Sequence, residues 1–417
     1  MDRSYNNPKY INYIKQKVKM ADDIYICTNC FDTKNRKIKK RDIVKMPKET
    51  YFHHECDMCS SNKNGKCTKS PIGDTLGVSD YDEIPLSHLC VWGKKDKFGN
   101  VVSMSENCCP VCHKPAHRII GKNIIISIVG TRDCGKSHYI GILLHEMVNK
   151  MGEALCWEVL AEDQTLRRYD EKYGQLYTSS QVLNLTTRNT TGFYEPYIFY
   201  ITDSNNQTFT ITFFDTAGED FESDELVENS ARHAFEASGI IYLIDPLKIT
   251  RFSLSLTQDL LRKSSTVSAE RAYRNDMILS SLSLGLRRHN NINANKKIST
   301  PIAIAISKLD IIANRFPAAS TCIQKGSHIS SKCFVKDEQN IINNEIEQWL
   351  VRVNDGPTNS FISQLKLNYS RYNFFGVSSL GMNNQPDKNG VFKQPIPHRI
   401  EDPLLWILKE NGMYSEK

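Results

Sequence analysis

The sequence predicts an α/β protein in two parts: a three-layer domain around a mostly parallel sheet, and before it a small cysteine-rich module. Three observations carry this. Short continuous apolar runs rich in β-branched residues recur after residue 120, each ending in turn residues, which is how strands buried on both faces read. Amphipathic stretches at helical spacing lie between them. Nine of the 13 cysteines fall between Cys27 and Cys112, so residues 1–118 carry a different chemistry from residues 119–417.

With 417 residues the chain has room for two or three domains, and 40% hydrophobic with 24% charged residues is the balance of an ordinary globular protein. The first 20 residues lack the apolar centre of a signal peptide, and no later run reaches the length of a membrane span, so a cytoplasmic protein is expected. The net charge of +6 is concentrated in the first 120 residues, which hold about +7, with the remainder near neutral. Each zinc bound by four thiolates would carry about −2, and two such sites would bring the module to roughly +3. The basic run "KNRKIKKRDIVK" at residues 34–45 therefore reads as a solvated face before it reads as a nucleic-acid footprint.

In a reducing compartment, C-x-x-C pairs point to metal. Cys27 and Cys30 in "CTNC" and Cys109 and Cys112 in "CPVC" supply two knuckles that can close one tetrahedral zinc shell. Cys56 and Cys59, with Cys67 and Cys90, offer a second set of four. His53, His54 or Cys108 can replace any one of them, and a cross-braced pairing that shares ligands differently is allowed. Such a closed shell is structural, because no coordination position is left for substrate.

The nucleotide reading starts at "NIIISIVG", residues 123–130, a buried strand running into Gly130-Thr131-Arg132-Asp133-Cys134-Gly135-Lys136-Ser137. This is G-x-x-x-x-G-K-[ST], and Ile140, Leu143, Leu144, Met147 and Met151 follow at helical spacing. Strand, glycine loop and helix in that order define a P-loop NTPase fold. Backbone N–H groups from Asp133 to Ser137, with His138 next in line, can surround a β-phosphate at the helix N-terminus. Lys136 can reach the β and γ oxygens, and Ser137 can ligate Mg²⁺.

A second strand, "TFTITFFD", ends in Asp215-Thr216-Ala217-Gly218, where Asp215 can hold Mg²⁺ through water and the Gly218 N–H can sense the γ-phosphate. "TPIAIAI" ends in Ser307-Lys308-Leu309-Asp310, near the [NT]-K-x-D pattern. Asp310 would accept from guanine N1 and N2, and the Lys308 stem would lie over the ring. "YNFFGV" leads into Ser378 and Ser379, whose loop N–H groups suit guanine O6. Four motifs in this order favour GTP over ATP. Ser307, in place of Asn or Thr, is the one departure.

With these motifs in place, the chain resembles the translation-factor-related (TRAFAC) class of P-loop GTPases. More narrowly, it looks like bacterial zinc-ribbon proteins with a TRAFAC-clade, double-GTPase-like domain. "CTNCF", "CPVCHKP", "GKSHYIGILLHE", "FFDTAGED" and "RIEDPLLWILKENG" carry that likeness. The resemblance implies a nucleotide-dependent switch or mechanochemical regulator, and names neither partner nor pathway.

Switch GTPases often place Gln after D-x-x-G to orient water; here Glu219 stands there, and a carboxylate beside a γ-phosphate adds like charge. Slow intrinsic turnover follows, accelerated by a protein partner or self-association, with Arg188 as a candidate cis-acting arginine. Thr186, Thr187, Thr190 and Thr191 all lie where a first-switch threonine belongs, and Thr191, before Gly192, is preferred.

Long intervals between motifs imply helical insertions at about residues 150–195, 246–298 and 315–370. "FSLSLTQDLLRK", "AERAYRNDMILSSLSLGLRR" and "EQNIINNEIEQWLVRV" read as helices, the last amphipathic through Ile341, Ile342, Ile346, Trp349 and Leu350. In "EDPLLWILKENG", Asp402 reads as N-cap, Pro403 as first turn and Gly412 as stop. Two rival functions are a zinc-ribbon nucleic-acid adaptor with a vestigial nucleotide site and a P-loop ATPase. Intact Lys136, Ser137, Asp215 and Asp310 weigh against the first, and the second rests on Ser307 alone.

Overall fold

The structure, a computed structural model, describes residues 24–27, 31, 38–39, 93–95, 101–104, 116–183, 195–215, 232–253, 275–384, 386–387 and 390–417. The chain divides into two compact units, Met1–Lys122 and Asn123–Lys417, with the division four residues beyond the boundary read from the sequence. In the first unit β1 (Ile24–Cys27) pairs antiparallel with both β2 (Ile38–Lys39) and β5 (Ala116–Ile119), and β3 (Gly93–Lys95) with β4 (Val101–Met104). The side chains of Cys27, Cys30, Cys56, Cys59, Cys67, Cys90, Cys109 and Cys112 lie outside the described residues, so the zinc shell stays a sequence expectation.

The second unit is built on a seven-stranded mixed sheet. Its strands are β6 (Lys122–Gly130), β7 (Glu158–Ala161), β8 (Tyr197–Thr202), β9 (Thr208–Asp215), β10 (Gly239–Ile244), β11 (Ile302–Ile306) and β12 (Tyr372–Gly376), in the spatial order β12-β11-β10-β6-β9-β8-β7. Strands β6, β10, β11 and β12 run parallel, whereas β7 with β8 and β8 with β9 are antiparallel. The first insertion, read from sequence as helical, thus contains an edge strand, β7. Four residues are too few for a period to distinguish strand from helix.

Helices α1 (Lys136–Glu146), α2 (Asp163–Tyr173) and α6 (Asp402–Glu410) contribute to the core on one face. Helices α3 (Asn275–His289), α4 (Lys336–Val353) and α5 (Gly356–Asn368) contribute to the core on the other. The strands supply both faces by alternation. On β11, Ala303 and Ala305 face the first core while Ile302, Ile304 and Ile306 face the second. The small residues sit where α6 approaches closely: a Cβ at Gly239 would meet Ile407 Cγ2 at 2.4 Å.

The stripe on α4 differs from its sequence reading at one position. Ile342, Ile346, Trp349 and Leu350 are buried, but Ile341 is 48% exposed and Gln339 is buried instead. Gln339 Nε2 donates to the Phe374 carbonyl at 2.8 Å, and Asn343 Oδ1 accepts from the Phe374 N–H at 2.9 Å. These side chains close part of the edge of β12, which would otherwise offer unpaired backbone groups. Asp402 is likewise not the cap of α6. It is the first helical residue, after Glu401, and its carboxylate is taken by Arg399 Nε at 2.7 Å. Among the described residues no helix is long and apolar enough to cross a membrane.

Candidate nucleotide site

Strand order reverses around β6: the chain leaves it toward the β9 side and later continues on the β10 side. In an open α/β sheet a ligand crevice opens at such a point, outside the carboxyl ends of the strands. Gly130, Asp215, Ser307 and Ser378 all lie at or just beyond those ends.

The loop after β6 has little room for side chains. A Cβ at Gly130 would lie 2.5 Å from the Leu243 carbonyl oxygen and 2.7 Å from Cys134 Sγ. Asp133 (φ 58°) and Gly135 (φ 91°) adopt left-handed conformations that turn successive N–H groups toward one side, the geometry of an anion nest. Lys136 is buried, and its ammonium donates to the carbonyls of Gly130 (3.0 Å) and Thr131 (2.7 Å). Cys134 is fully buried beneath the loop. His138, on the first turn of α1, accepts the Leu183 N–H at Nε2 (3.2 Å). Burial, reinforced by the Lys308 charge, lowers its pKa to about 4, so at neutral pH it is an uncharged acceptor.

Ser137 and Asp215 meet: Ser137 Oγ lies 3.3 Å from Asp215 Oδ2. The same carboxylate oxygen accepts from Lys172 Nζ at 2.6 Å and the Tyr173 hydroxyl at 2.8 Å, both at the end of α2. Burial alone would raise the Asp215 pKa, but the Lys172 charge and these hydrogen bonds outweigh it and hold the carboxyl below its usual range. A hydroxyl beside an ionised carboxylate is a hard-oxygen donor set suited to Mg²⁺.

Beyond β11 and β12, Ser378 Oγ donates to Asp310 Oδ1 at 2.6 Å and accepts the Gly381 N–H at 3.2 Å. Ser307 Oγ lies 2.8 Å from the Cys134 carbonyl and 3.2 Å from that of Ile244. Its single hydroxyl proton ties the S-K-L-D turn to the phosphate loop. Ser307→Ala is expected to lower stability by about 1–2 kcal/mol, because the Cys134 carbonyl loses this partner in a buried setting. Urea unfolding of the two proteins compares this directly. Ser379 follows Ser378 and is half-buried. Gly218, Glu219, Thr191, the other switch threonines and Arg188 lie outside the described residues.

Sequence reasoning missed four residues here. Asp245, just after β10, is 2% exposed, accepts the Leu247 N–H at 2.9 Å and pairs with Lys308 Nζ at 2.6 Å. Burial would lower the Lys308 pKa, but Asp245 reverses this and raises it. Lys248 reaches back to the Arg132 carbonyl. With Lys172 and Tyr173, these groups bring three further ammonium groups near a loop already holding Lys136. The one available signal was an apolar strand ending in aspartate, "IIYLIDP".

A family model described as Double-GTPase 2 matches residues 124–332, half of the chain, and spans the phosphate loop, Asp215 and Asp310. The chain belongs to the Double-GTPase 2 family. As a Double-GTPase 2 member it carries a P-loop GTPase-like, guanine-nucleotide-binding type of domain, and its seven-stranded mixed sheet fits that fold. A protein of Mycolicibacterium smegmatis named for ESX-1 scaffolding and assembly, SaeC, is 23% identical over 331 residues, covering 73% of this chain and 80% of its own length. Among solved structures, the GTPase-like domain of S. cerevisiae Ski7 bound to GTP is similar at 14% identity, with a TM-score of 0.32 over 70% of this chain. This chain spans about half the length of that structure.

Proposed function

We propose that this protein is a magnesium-dependent GTP switch that hydrolyses GTP slowly, with its cysteine-rich first 118 residues forming a structural zinc module for recognising a protein partner. The observation that carries the guanine reading is the 2.6 Å Ser378–Asp310 bond together with the Ser307 tie to Cys134. An acceptor-only carboxylate, suited to the N1–H and N2–H donors that distinguish guanine from adenine, is thereby fixed relative to the phosphate loop.

Lys136 and the N–H groups of residues 133–138 bind the phosphates in this reading, Ser137 and Asp215 hold Mg²⁺, and Gly218 senses the γ-phosphate. The metal supplies charge neutralisation on the β and γ oxygens. Glu219 orients the attacking water at the expense of like charge, and turnover is therefore slow, on the order of 10⁻⁴–10⁻² per second without an activator. The name of the mycobacterial relative, a scaffolding and assembly protein, supports a protein partner over nucleic acid.

The test is phosphate release and equilibrium nucleotide binding by zinc-loaded protein with Mg²⁺, comparing GTP with ATP. GTP-specific binding with slow turnover is the expected result. Equal affinity for ATP would overturn the guanine assignment, and salt-dependent RNA or DNA binding without nucleotide binding would favour an adaptor with a vestigial site.

A further inference from the structure

The contact that the proposed switch does not explain is the one between α2 and the magnesium carboxylate. Three donors share Asp215 Oδ2: Lys172 Nζ at 2.6 Å, the Tyr173 hydroxyl at 2.8 Å and Ser137 Oγ at 3.3 Å. Their surroundings differ. The Tyr173 side chain is fully buried, whereas the Lys172 side chain is 37% exposed over a carboxylate that is only 4% exposed. The ammonium can thus leave for water by rotating its own stem, while the phenol cannot leave without opening the core.

Asp215 is read as holding Mg²⁺ through a coordinated water, and that water must donate to a carboxylate oxygen on which three donors already converge. An ammonium on the same oxygen takes up the acceptor and adds a like charge near the ion. The ammonium and the hydrated magnesium therefore compete for Asp215 Oδ2. The neutral Tyr173 hydroxyl carries no such penalty, and burial together with the Asp215 charge keeps it protonated.

We propose that Lys172 is a resident counter-ion of the magnesium carboxylate: it neutralises Asp215 while the divalent cation is absent, competes with Mg²⁺ for it, and is displaced when Mg²⁺ arrives with nucleotide. The proposal rests on the GTP and Mg²⁺ reading above. Lys172 is the penultimate residue of α2. The body of that helix is fixed elsewhere, by the Ile198 N–H on Thr165 Oγ1 (2.8 Å) and by the Tyr169 hydroxyl on the Gly141 carbonyl (3.2 Å). With Tyr173 also held in the core, displacement moves the Lys172 side chain and leaves the helix in place, so the position of that ammonium registers whether the metal is bound.

The experiment is an equilibrium titration of a fluorescent GDP analogue over free Mg²⁺ from the micromolar to the millimolar range, with wild type, Lys172→Met and Lys172→Arg. Removing the competing charge should lower the Mg²⁺ midpoint at least about tenfold, or ~1.4 kcal/mol, whereas the arginine variant should stay near wild type. An unchanged or higher midpoint in Lys172→Met, with wild type binding normally, overturns the proposal. So does a uniform loss of affinity at every Mg²⁺ concentration, which would make Lys172 a phosphate ligand. Wild-type protein that binds no guanine nucleotide at any Mg²⁺ concentration instead defeats the nucleotide reading itself. Should Lys172→Met fail to fold, Lys172→Gln keeps an uncharged donor to Asp215 and is read by the same midpoint.

Discussion

Lys136→Ala is expected to abolish measurable guanine-nucleotide binding, by at least about 10²-fold, in a protein that still folds. The two effects have different sizes. Lys136 Nζ is held by the Gly130 and Thr131 carbonyls, and losing those bonds costs stability of about 1–3 kcal/mol. A nucleotide would lose two charge-assisted hydrogen bonds to its phosphates, each worth about 1.5–3 kcal/mol, in a loop where water replaces an ammonium poorly. Summed, about 3–6 kcal/mol corresponds to roughly 10²–10⁴ in affinity. Circular dichroism melts and titration with a fluorescent GDP analogue separate the two. Affinity within tenfold of wild type, in a folded variant, would mean that the phosphate is held elsewhere.

Asp310→Asn is expected to exchange base preference, weakening guanine nucleotides on the order of 10³-fold while admitting xanthine nucleotides. The direction follows from Ser378. Its hydroxyl donates to Asp310 Oδ1, and its oxygen accepts the Gly381 N–H. An asparagine that preserves the Ser378 bond keeps its oxygen toward that hydroxyl, which places the amide NH₂ where Oδ2 stood. That NH₂ opposes the guanine N2 amino group donor to donor, and matches the carbonyl of xanthine at the same ring position. Competition of xanthosine and guanosine diphosphates for the variant gives the answer. Unchanged guanine preference would show that Asp310 does not read the base.

The legible part of this molecule is its local part. Strand, loop and helix around Gly130–Ser137, the aspartate closing β9, and the Ser307–Asp310 and Ser378 turns are short patterns whose chemistry is set by neighbours in sequence. Lys172 and Tyr173 reach Asp215 across more than 40 residues, and Lys308 reaches Asp245 across 63. No periodicity marks either pair, because a surface lysine on an amphipathic helix looks the same whether or not it meets a carboxylate. Gln339 shows the same limit from the other side. A polar residue is buried and its apolar neighbour Ile341 exposed because the edge of β12 needs a donor, a requirement that belongs to the sheet and not to the helix.

The strand order also has a consequence in time. The central strand β6 is covered on its two edges by β9 and β10, and the Asp310–Ser378 contact can form only once Ser378 has been made. Lys136 precedes Ser378 by about 240 residues, so at roughly 5–20 residues per second the phosphate loop waits about 12–50 s during synthesis for the rest of its site. Until β9 and β10 have been made, "IIISIV" is an uncovered apolar strand on a nascent chain, prone to pair with the wrong edge. Nucleotide can assist only the final step of maturation, and protection of β6 before then falls to whatever shields the emerging polypeptide.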